Sequence, residues 1–258
     1  MLFWPSLLMD GSMWTAQADH FADTHRVVLV DPPGHGASEA LERTFTFDEC
    51  AKCVVQVLDA LDIDKVHFVG NSWGGMIGGT FAARYPDRVA TATLMNCTAS
   101  PAGLYQKVKY EALRVVAPWF GGIRGPLVRP AVDAFVGRTL RRTKPDVLAW
   151  ITAQVRKVDV LSIRWAVVSV VPRRPDQHAL VSEITAPALV IAGTEDATFP
   201  PAEGRRMASA IPGARYELLP DTAHLAAVES PDQVNALMDS LLASYTQDSQ
   251  AQPREDGA

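Results

Sequence analysis

A serine lies between two glycines in the run Gly70-Asn71-Ser72-Trp73-Gly74, which follows the strand-like run KVHFVG at 65–70 and precedes a run typical of a helix. In a sharp turn from strand to helix, the serine takes a strained backbone conformation, and larger side chains at the glycine positions would clash across the turn. The serine Oγ then projects beyond the carboxyl end of the strand. This placement predicts that Ser72 is a nucleophile.

A serine hydroxyl is a weak nucleophile at neutral pH, so it needs a base within hydrogen-bond reach and a third group that orients the base. The histidines of the chain are His20, His25, His35, His67, His178 and His224. His224 follows the last predicted strand by a few residues, at the carboxyl end where catalytic loops gather. We therefore predict His224 as the base. His35 also follows a strand, in the turn 32–36, and is the alternative.

The orienting acid is expected on another loop at the carboxyl end of the sheet, between the serine and the histidine in chain order. Asp196 lies three residues beyond the apolar run 188–193, and it is our prediction for this acid. The neighbouring Glu195 would then point elsewhere; the alternative is that both are surface carboxylates. The predicted order is Ser72, Asp196, His224.

The elements that must position these side chains alternate between strand-like and helix-like patterns. Short apolar or β-branched runs predict strands at 26–31, 65–70, 92–96, 188–193 and 215–219. Helical patterns lie between them, one of which begins with a capping box at Thr46 and Glu49. Repeated β-α units predict an α/β fold, with a mostly parallel, doubly wound sheet that is covered by helices on both faces.

Residues 103–182 interrupt this alternation after the third clear strand, and we predict that they form a helical cap. Apolar and aromatic residues recur there at helical spacings: Leu113, Val116, Trp119, Phe120, Phe135, Leu148, Trp150, Ile151, Trp165 and Val168. The cap carries a net charge of +9, against −14 for the remainder of the chain. These charges form either a solvated outer face or a field that attracts anionic substrates. The core is then 1–102 with 183–245, and the polar end 246–258 is predicted to be disordered.

Composition excludes several classes of protein. The 258 residues, 48% hydrophobic and 21% charged, are typical of one soluble globular domain, and the net charge of −5 argues against nucleic-acid or anionic-membrane partners. The opening segment 1–14 lacks the basic region of a signal peptide, and no run reaches the roughly 18 apolar residues of a membrane span. Three cysteines fit a reducing compartment. We predict a cytoplasmic protein that acts on a small molecule without a metal or an organic cofactor.

The chain resembles the α/β-hydrolase superfamily over almost its whole length. Beyond the motif at Ser72, the run DPPGHGAS at 31–38 is similar to the family's D-x-x-G-H-G-x-S loop. The run HLAAVESP at 224–231 is similar to the family's H-x-x-x-x-E-x-P ending, and 193–196 matches its acid loop. The cap lies where the family places its lid. The resemblance implies an α/β-hydrolase fold and a Ser-His-Asp hydrolase.

Two departures from the family pattern lie near the start of the chain. Counting back from Trp14, Pro5-Ser6 replace the usual His-Gly pair before the oxyanion residue. A backbone N–H survives any side-chain change except to proline, so the resemblance implies that Leu7 N–H and Trp73 N–H form the oxyanion hole. The family also has two strands ahead of this loop. Either they are missing or they precede Met1; a shortened sheet exposes an edge that a homodimer would cover.

These observations predict a serine hydrolase that cleaves small esters or lactones through an acyl-enzyme, similar to the enol-lactonase, carboxylesterase and ring-cleavage-product hydrolase group. A second hypothesis is hydrolysis of a carbon–carbon bond in a vinylogous diketone, with the basic cap steering a carboxylated substrate. A third is a binding protein that keeps the fold without catalysis, which the departure at Pro5-Ser6 favours.

Overall fold

Six strands form one parallel sheet in the computed structural model, which describes residues 1–116 and 122–251. The strands are β1 (Leu2–Trp4), β2 (Val28–Leu29), β3 (Val66–Asn71), β4 (Val89–Met95), β5 (Ala188–Gly193) and β6 (Arg215–Leu219). Their order is β2-β1-β3-β4-β5-β6, and each neighbouring pair is parallel. The chain runs outward from β1 to β2 and then in the opposite direction from β3 to β6. This order confirms the predicted α/β fold with a doubly wound sheet.

Helices connect the strands. The first three are α1 (Thr15–Phe21), α2 (Phe47–Ala60) and α3 (Trp73–Arg84). The segment between β4 and β5 contains α4 (Leu104–Val116), α5 (Val128–Asp133), α6 (Arg138–Thr143), α7 (Pro145–Lys157), α8 (Val160–Val170) and α9 (His178–Val181). The last three are α10 (Pro201–Ala210), α11 (Ala226–Glu229) and α12 (Pro231–Ala251).

The sheet is buried on both faces. Side chains alternate along a strand, so Phe68 packs into a core with α2 and α3 on one face, whereas Val69 packs into a second core with α12 on the other. The strands β4 and β5 are buried along their whole length. Burial on both faces explains why these strands are nearly continuous apolar runs. It also makes the sheet a rigid platform for the loops at its carboxyl end.

The start of the chain contributes a strand that the sequence analysis did not predict. β1 lies between β2 and β3, and its three side chains are fully buried. β2 is only Val28–Leu29, shorter than the predicted 26–31, and it lies at the edge of the described sheet with Leu29 exposed. A homodimer that covers this edge stays a prediction.

The segment 103–182, which we call the insertion, is helical in its described part, and its assignment as a separate cap stays a prediction. Trp119 and Phe120, two of the apolar residues on which that prediction depends, lie outside the described residues. At the other end, α12 continues to Ala251, so residues 246–251 are helical where the sequence predicts disorder. No proline or glycine occurs there before Pro253 to stop the helix. Residues 252–258 lie outside the described part of the chain.

Candidate active site

Ser72 lies in a tight turn between β3 and α3, with φ 56° and ψ −110°. Gly70 and Gly74, on either side of Ser72, must be glycines because neighbouring backbone atoms lie too close for a Cβ. A Cβ on Gly70 would lie 2.2 Å from the carbonyl group of Gly74, and a Cβ on Gly74 would lie 2.0 Å from the carbonyl oxygen of Trp4. The turn therefore holds Ser72 at the carboxyl end of the sheet, beside the N-terminus of α3.

The structure brings together the three side chains that the sequence predicts. His224 follows β6, and its Nε2 lies 2.8 Å from the Oγ of Ser72. Asp196 follows β5, and its Oδ2 lies 2.9 Å from the Nδ1 of His224. With its proton on Nδ1, His224 donates to Asp196 and accepts from the Ser72 hydroxyl. All three residues are buried, at 5%, 2% and 3% exposure for Ser72, His224 and Asp196.

The carboxylate of Asp196 is oriented by further donors. Its Oδ1 accepts the backbone N–H groups of Thr198 and Phe199, each at 2.9 Å. Its Oδ2, which faces His224, also accepts from the Nδ2 of Asn96 at 3.1 Å. The carboxylate cannot rotate without losing several of these bonds, so it fixes the plane of the imidazole.

Two asparagines that the sequence analysis did not single out connect the loops of the site. Asn96 follows β4 and donates to Asp196 and to the carbonyl oxygen of Ala223 at 2.9 Å, while its Oδ1 accepts from Ala226 N–H at 3.3 Å. Asn71 donates from Nδ2 to the carbonyl oxygen of His224 at 2.9 Å. The signal in the sequence is a polar residue at the end of a buried strand, where a loop partner must satisfy it.

Two acidic residues near the trio have other partners. Glu195 points away from His224 and accepts the backbone N–H and the hydroxyl of Thr139 in α6. Glu229 is buried and accepts the N–H groups of Ala223 and Leu225, at 2.9 and 3.0 Å. Burial raises the pKa of Glu229 to about 7, while these two N–H donors act in the opposite direction. Glu229 therefore holds the loop that carries His224.

The two predicted oxyanion donors, Leu7 and Trp73, lie near Ser72. Leu7 lines the same cavity as Ser72 and His224, and Trp73 directly follows Ser72 as the first residue of α3. Among the residues that the structure describes, no acceptor takes up the N–H of Leu7 or of Trp73. The N–H groups in the first turn of a helix have no partner within the helix, and together with the helix dipole they favour negative charge.

His35, the alternative base, bonds to the loop that carries Leu7 and Leu8, whereas the hydroxyl of Ser72 bonds to His224. Its Nε2 accepts from the backbone N–H of Leu8 at 3.1 Å, and its Nδ1 donates to the carbonyl oxygen of Pro33 at 3.0 Å. The imidazole centroid lies 5.2 Å from the ring of Trp73. Leu8 has φ 68°, a conformation that costs energy for a leucine, so His35 stabilises a strained turn beside the site.

The buried His35 is expected to make the protein less stable in acid. Burial lowers its pKa from 6.5 to about 4. Above pH 6.5 it is neutral in both states; between pH 6.5 and 4 the unfolded chain binds a proton that the folded chain does not. The free energy of unfolding therefore falls by up to about 1.4 kcal/mol per pH unit in this window, and by roughly 3 kcal/mol across it.

Denaturant unfolding at pH 7 and pH 4.5 measures this loss, with His35→Gln as the control because glutamine keeps an acceptor and does not titrate. His67, whose pKa burial also lowers to about 4, titrates in both proteins and cancels in the comparison. The wild type is expected to lose more stability than the variant. Equal losses would show that His35 does not cause the effect.

A cavity of about 240 Å³ opens above Ser72, and its walls are mainly apolar. The insertion forms much of the wall, with residues of α4, α5 and α8. Phe135 and Phe199 lie against His224, with ring centroids at 5.8 and 5.6 Å from the imidazole. The site is thus an apolar chamber with a hydrogen-bonded serine at its base.

The described residues, 1–116 and 122–251, form neither a candidate metal site nor a candidate membrane span. Within that part of the chain, no group of three or more His, Cys, Asp or Glu side chains is placed to hold a metal ion. No helix in residues 1–116 or 122–251 combines the length and the hydropathy needed to cross a bilayer.

The turn at Ser72, the loops that carry Asp196 and His224, and the helical insertion all lie within residues 1–231. The sequence profile of the alpha/beta hydrolase fold matches residues 1–231. The chain belongs to the alpha/beta hydrolase fold family. The structure of this alpha/beta hydrolase agrees with that assignment in its parallel sheet and flanking helices.

Relatives of this alpha/beta hydrolase have names that support hydrolase activity. It is 28% identical, over 85% of this chain and 77% of the relative, to a 2-hydroxy-6-oxononadienedioate/2-hydroxy-6-oxononatrienedioate hydrolase of Klebsiella pneumoniae. Its structure is similar to the enol-lactonase from Burkholderia xenovorans, at 30% identity and a TM-score of 0.82, covering 94% of this chain and 90% of that one. A thermophilic esterase from Thermogutta terrifontis matches at 26% identity and a TM-score of 0.85, covering 95% and 89%.

Proposed function

We propose that this alpha/beta hydrolase cleaves small carboxylic esters or lactones through an acyl-enzyme on Ser72. The observation that carries the proposal is the hydrogen-bonded chain from Ser72 through His224 to Asp196 at the base of an apolar cavity. The named enol-lactonase and esterase among the similar structures support the same class of substrate.

In the proposed reaction, His224 takes the Ser72 proton on Nε2 while Oγ attacks the acyl carbon. Asp196 stabilises the imidazolium that forms, and the N–H groups of Leu7 and Trp73 hold the oxyanion of the tetrahedral intermediate. The bond to the leaving oxygen then breaks, and His224 returns the proton to the alcohol. In the second half, His224 takes a proton from water as the water oxygen attacks the acyl carbon. The bond from that carbon to Oγ then breaks, and His224 returns the proton to Oγ, which releases the carboxylic acid and restores the Ser72 hydroxyl.

A second candidate is hydrolysis of a carbon–carbon bond in a vinylogous diketone. The relative from Klebsiella pneumoniae, whose named substrates are dienedioates and trienedioates, favours it. The net charge of +9 on the insertion also suits steering of a carboxylated substrate. A binding protein without catalysis is the weakest candidate, because such a protein has no need of the hydrogen-bonded trio.

A substrate panel at low and high salt is expected to separate these candidates. We expect kcat/KM for short p-nitrophenyl esters and small lactones to exceed that for a 2-hydroxy-6-oxo-dienedioate. Raising the ionic strength from about 0.01 M to about 1 M shortens the Debye length from roughly 30 to 3 Å, so it lowers kcat/KM for an electrostatically steered substrate only. Faster, salt-sensitive turnover of the dienedioate would favour the second candidate. No turnover of any compound would favour the binding protein.

A further inference from the structure

The cations of the insertion differ in how their charge is compensated. Among the described residues, several of these cations bond to other protein groups through ion pairs or hydrogen bonds: Arg129, Arg141, Lys144, Lys157, Arg173 and Arg174. Others, such as Arg142 and Arg156, are exposed to solvent. The total charge of the insertion therefore does not show which cation can act on a substrate.

Arg164 differs from these cations because it lines the cavity above Ser72. It lies on α8 and is half-buried, and its Nε is buried with no hydrogen-bond partner. Its guanidinium lies over the ring of Trp165, 4.7 Å from the centroid. Among the described residues, no carboxylate forms an ion pair with it. Arg164 is also the one permanently charged side chain in the described lining of this cavity.

The Nε of this guanidinium is shielded from solvent, and the described part of the chain supplies no anion to pair with the group. Such a group costs free energy unless a ligand supplies the missing acceptors. A carboxylate matches the planar fork of arginine and carries the single negative charge that one arginine compensates. A phosphate monoester carries close to two negative charges, and the described lining of the cavity holds no second permanently charged side chain to compensate the additional charge.

We propose that Arg164 binds a carboxylate of the substrate, so that the enzyme prefers esters or lactones with a free carboxylate on the part that fills the cavity. The inference rests on the proposed function, since it names the substrate class of the same site. Arg164 selects the substrate and holds it over Ser72, and it takes no part in the proton transfers.

Two esters of equal acyl length test the preference: p-nitrophenyl hemiglutarate, which carries a free carboxylate, and the neutral p-nitrophenyl valerate. Arg164→Gln is expected to lower kcat/KM for the hemiglutarate by about 10²-fold, the loss typical of removing one partner of a buried ion pair. The valerate measures any general damage to the cavity, so the ratio of kcat/KM for the hemiglutarate to kcat/KM for the valerate is expected to fall by at least about tenfold.

Arg156→Gln is the matched control, because it removes the same charge from an exposed position outside the cavity lining. It is expected to change both substrates by less than about twofold, since an exposed cation is screened by salt. If both variants lost the same kcat/KM for the hemiglutarate, the charge of the insertion would attract the substrate at long range without a direct contact to Arg164. That result would overturn the proposal. An Arg164→Gln variant that keeps the wild-type ratio of hemiglutarate to valerate would also overturn it.

Binding of glutarate, measured by calorimetry, separates failure of this inference from failure of the proposed function. Glutarate needs no turnover, and Arg164→Gln is expected to raise its Kd by at least about tenfold. If the wild type hydrolyses neither ester, the proposed function is wrong and the glutarate Kd still tests Arg164. Suppose instead that the wild type hydrolyses the valerate, and that Arg164→Gln and Arg156→Gln both bind glutarate with the Kd of the wild type. Then the proposed function stands and only the role of Arg164 is wrong.

Discussion

Replacing Ser72 with alanine is expected to lower kcat/KM for p-nitrophenyl esters by about 10⁶-fold, the loss typical of removing the nucleophile of a serine hydrolase. Alanine leaves His224 and the two proposed oxyanion donors in place, so the variant can bind an ester but cannot form the acyl-enzyme. Steady-state kinetics with p-nitrophenyl butyrate measures the loss. The thermal midpoint is expected to stay close to that of the wild type, because serine and alanine meet the same strain at φ 56°.

Ser209→Ala is the control for this experiment. Ser209 lies on α10, is exposed, and donates to the carbonyl oxygen of Arg205. Its loss is expected to change activity by less than about twofold, in line with most surface substitutions. A Ser72→Ala protein that keeps a tenth or more of the wild-type rate would contradict the assignment of Ser72.

Replacing Asp196 with asparagine is expected to lower kcat by about 10⁴-fold, and the hydrogen bonds explain why. The oxygen that accepts from Thr198 and Phe199 must remain an acceptor, so the amide NH₂ of the asparagine faces His224. The NH₂ then donates to Nδ1, which moves the imidazole proton to Nε2. In that tautomer His224 cannot take the proton of Ser72.

Glu195→Gln is the matched control for Asp196→Asn, because it neutralises the neighbouring carboxylate. Glu195 bonds to Thr139 and makes no contact with His224, so kcat is expected to stay within about threefold of the wild type. Initial rates at saturating ester measure kcat for both variants. A similar loss in both would show that local charge, and not the orientation of His224, governs the rate.

Ser72 and Asp196 follow the buried strands β3 and β5, whereas His224 follows the partly exposed edge strand β6; parallel strands bring their carboxyl ends to one edge of the sheet. The local signals are the glycines around Ser72, the apolar run before Asp196 and the strand-like run 215–219 before His224. The doubly wound sheet is predictable for the same reason. Hydrophobic periodicity reports burial on both faces without any knowledge of tertiary contacts.

Other features depend on contacts between distant parts of the chain, and local patterns do not contain them. β1 is three residues long, too short for a periodicity, and it forms because it pairs with β2 and β3. The bond from Leu8 N–H to His35 joins residues 27 apart in the chain. The partners of Asn96 lie still further along the chain, so its role as a link between loops is visible only in the structure.

The sequence also does not show which cations of the insertion are paired with other groups. A count of residues gives +9 but assigns no partner to any one cation. Long side chains reach several positions, and only packing decides that Arg141 reaches Asp133 whereas Arg164 faces the cavity. For this reason the proposal assigns carboxylate binding to the guanidinium of Arg164, and not to the summed charge of the insertion.

Covalent labelling with a fluorophosphonate, followed by mass spectrometry of the peptides, tests whether Ser72 is an activated nucleophile. The reagent phosphonylates a serine only where a neighbouring base activates it. We expect one adduct on Ser72 of the wild type, slower labelling of Asp196→Asn, and none of Ser72→Ala. A wild-type protein that stays unlabelled, or that carries its adduct on a residue other than Ser72, would contradict this role of Ser72.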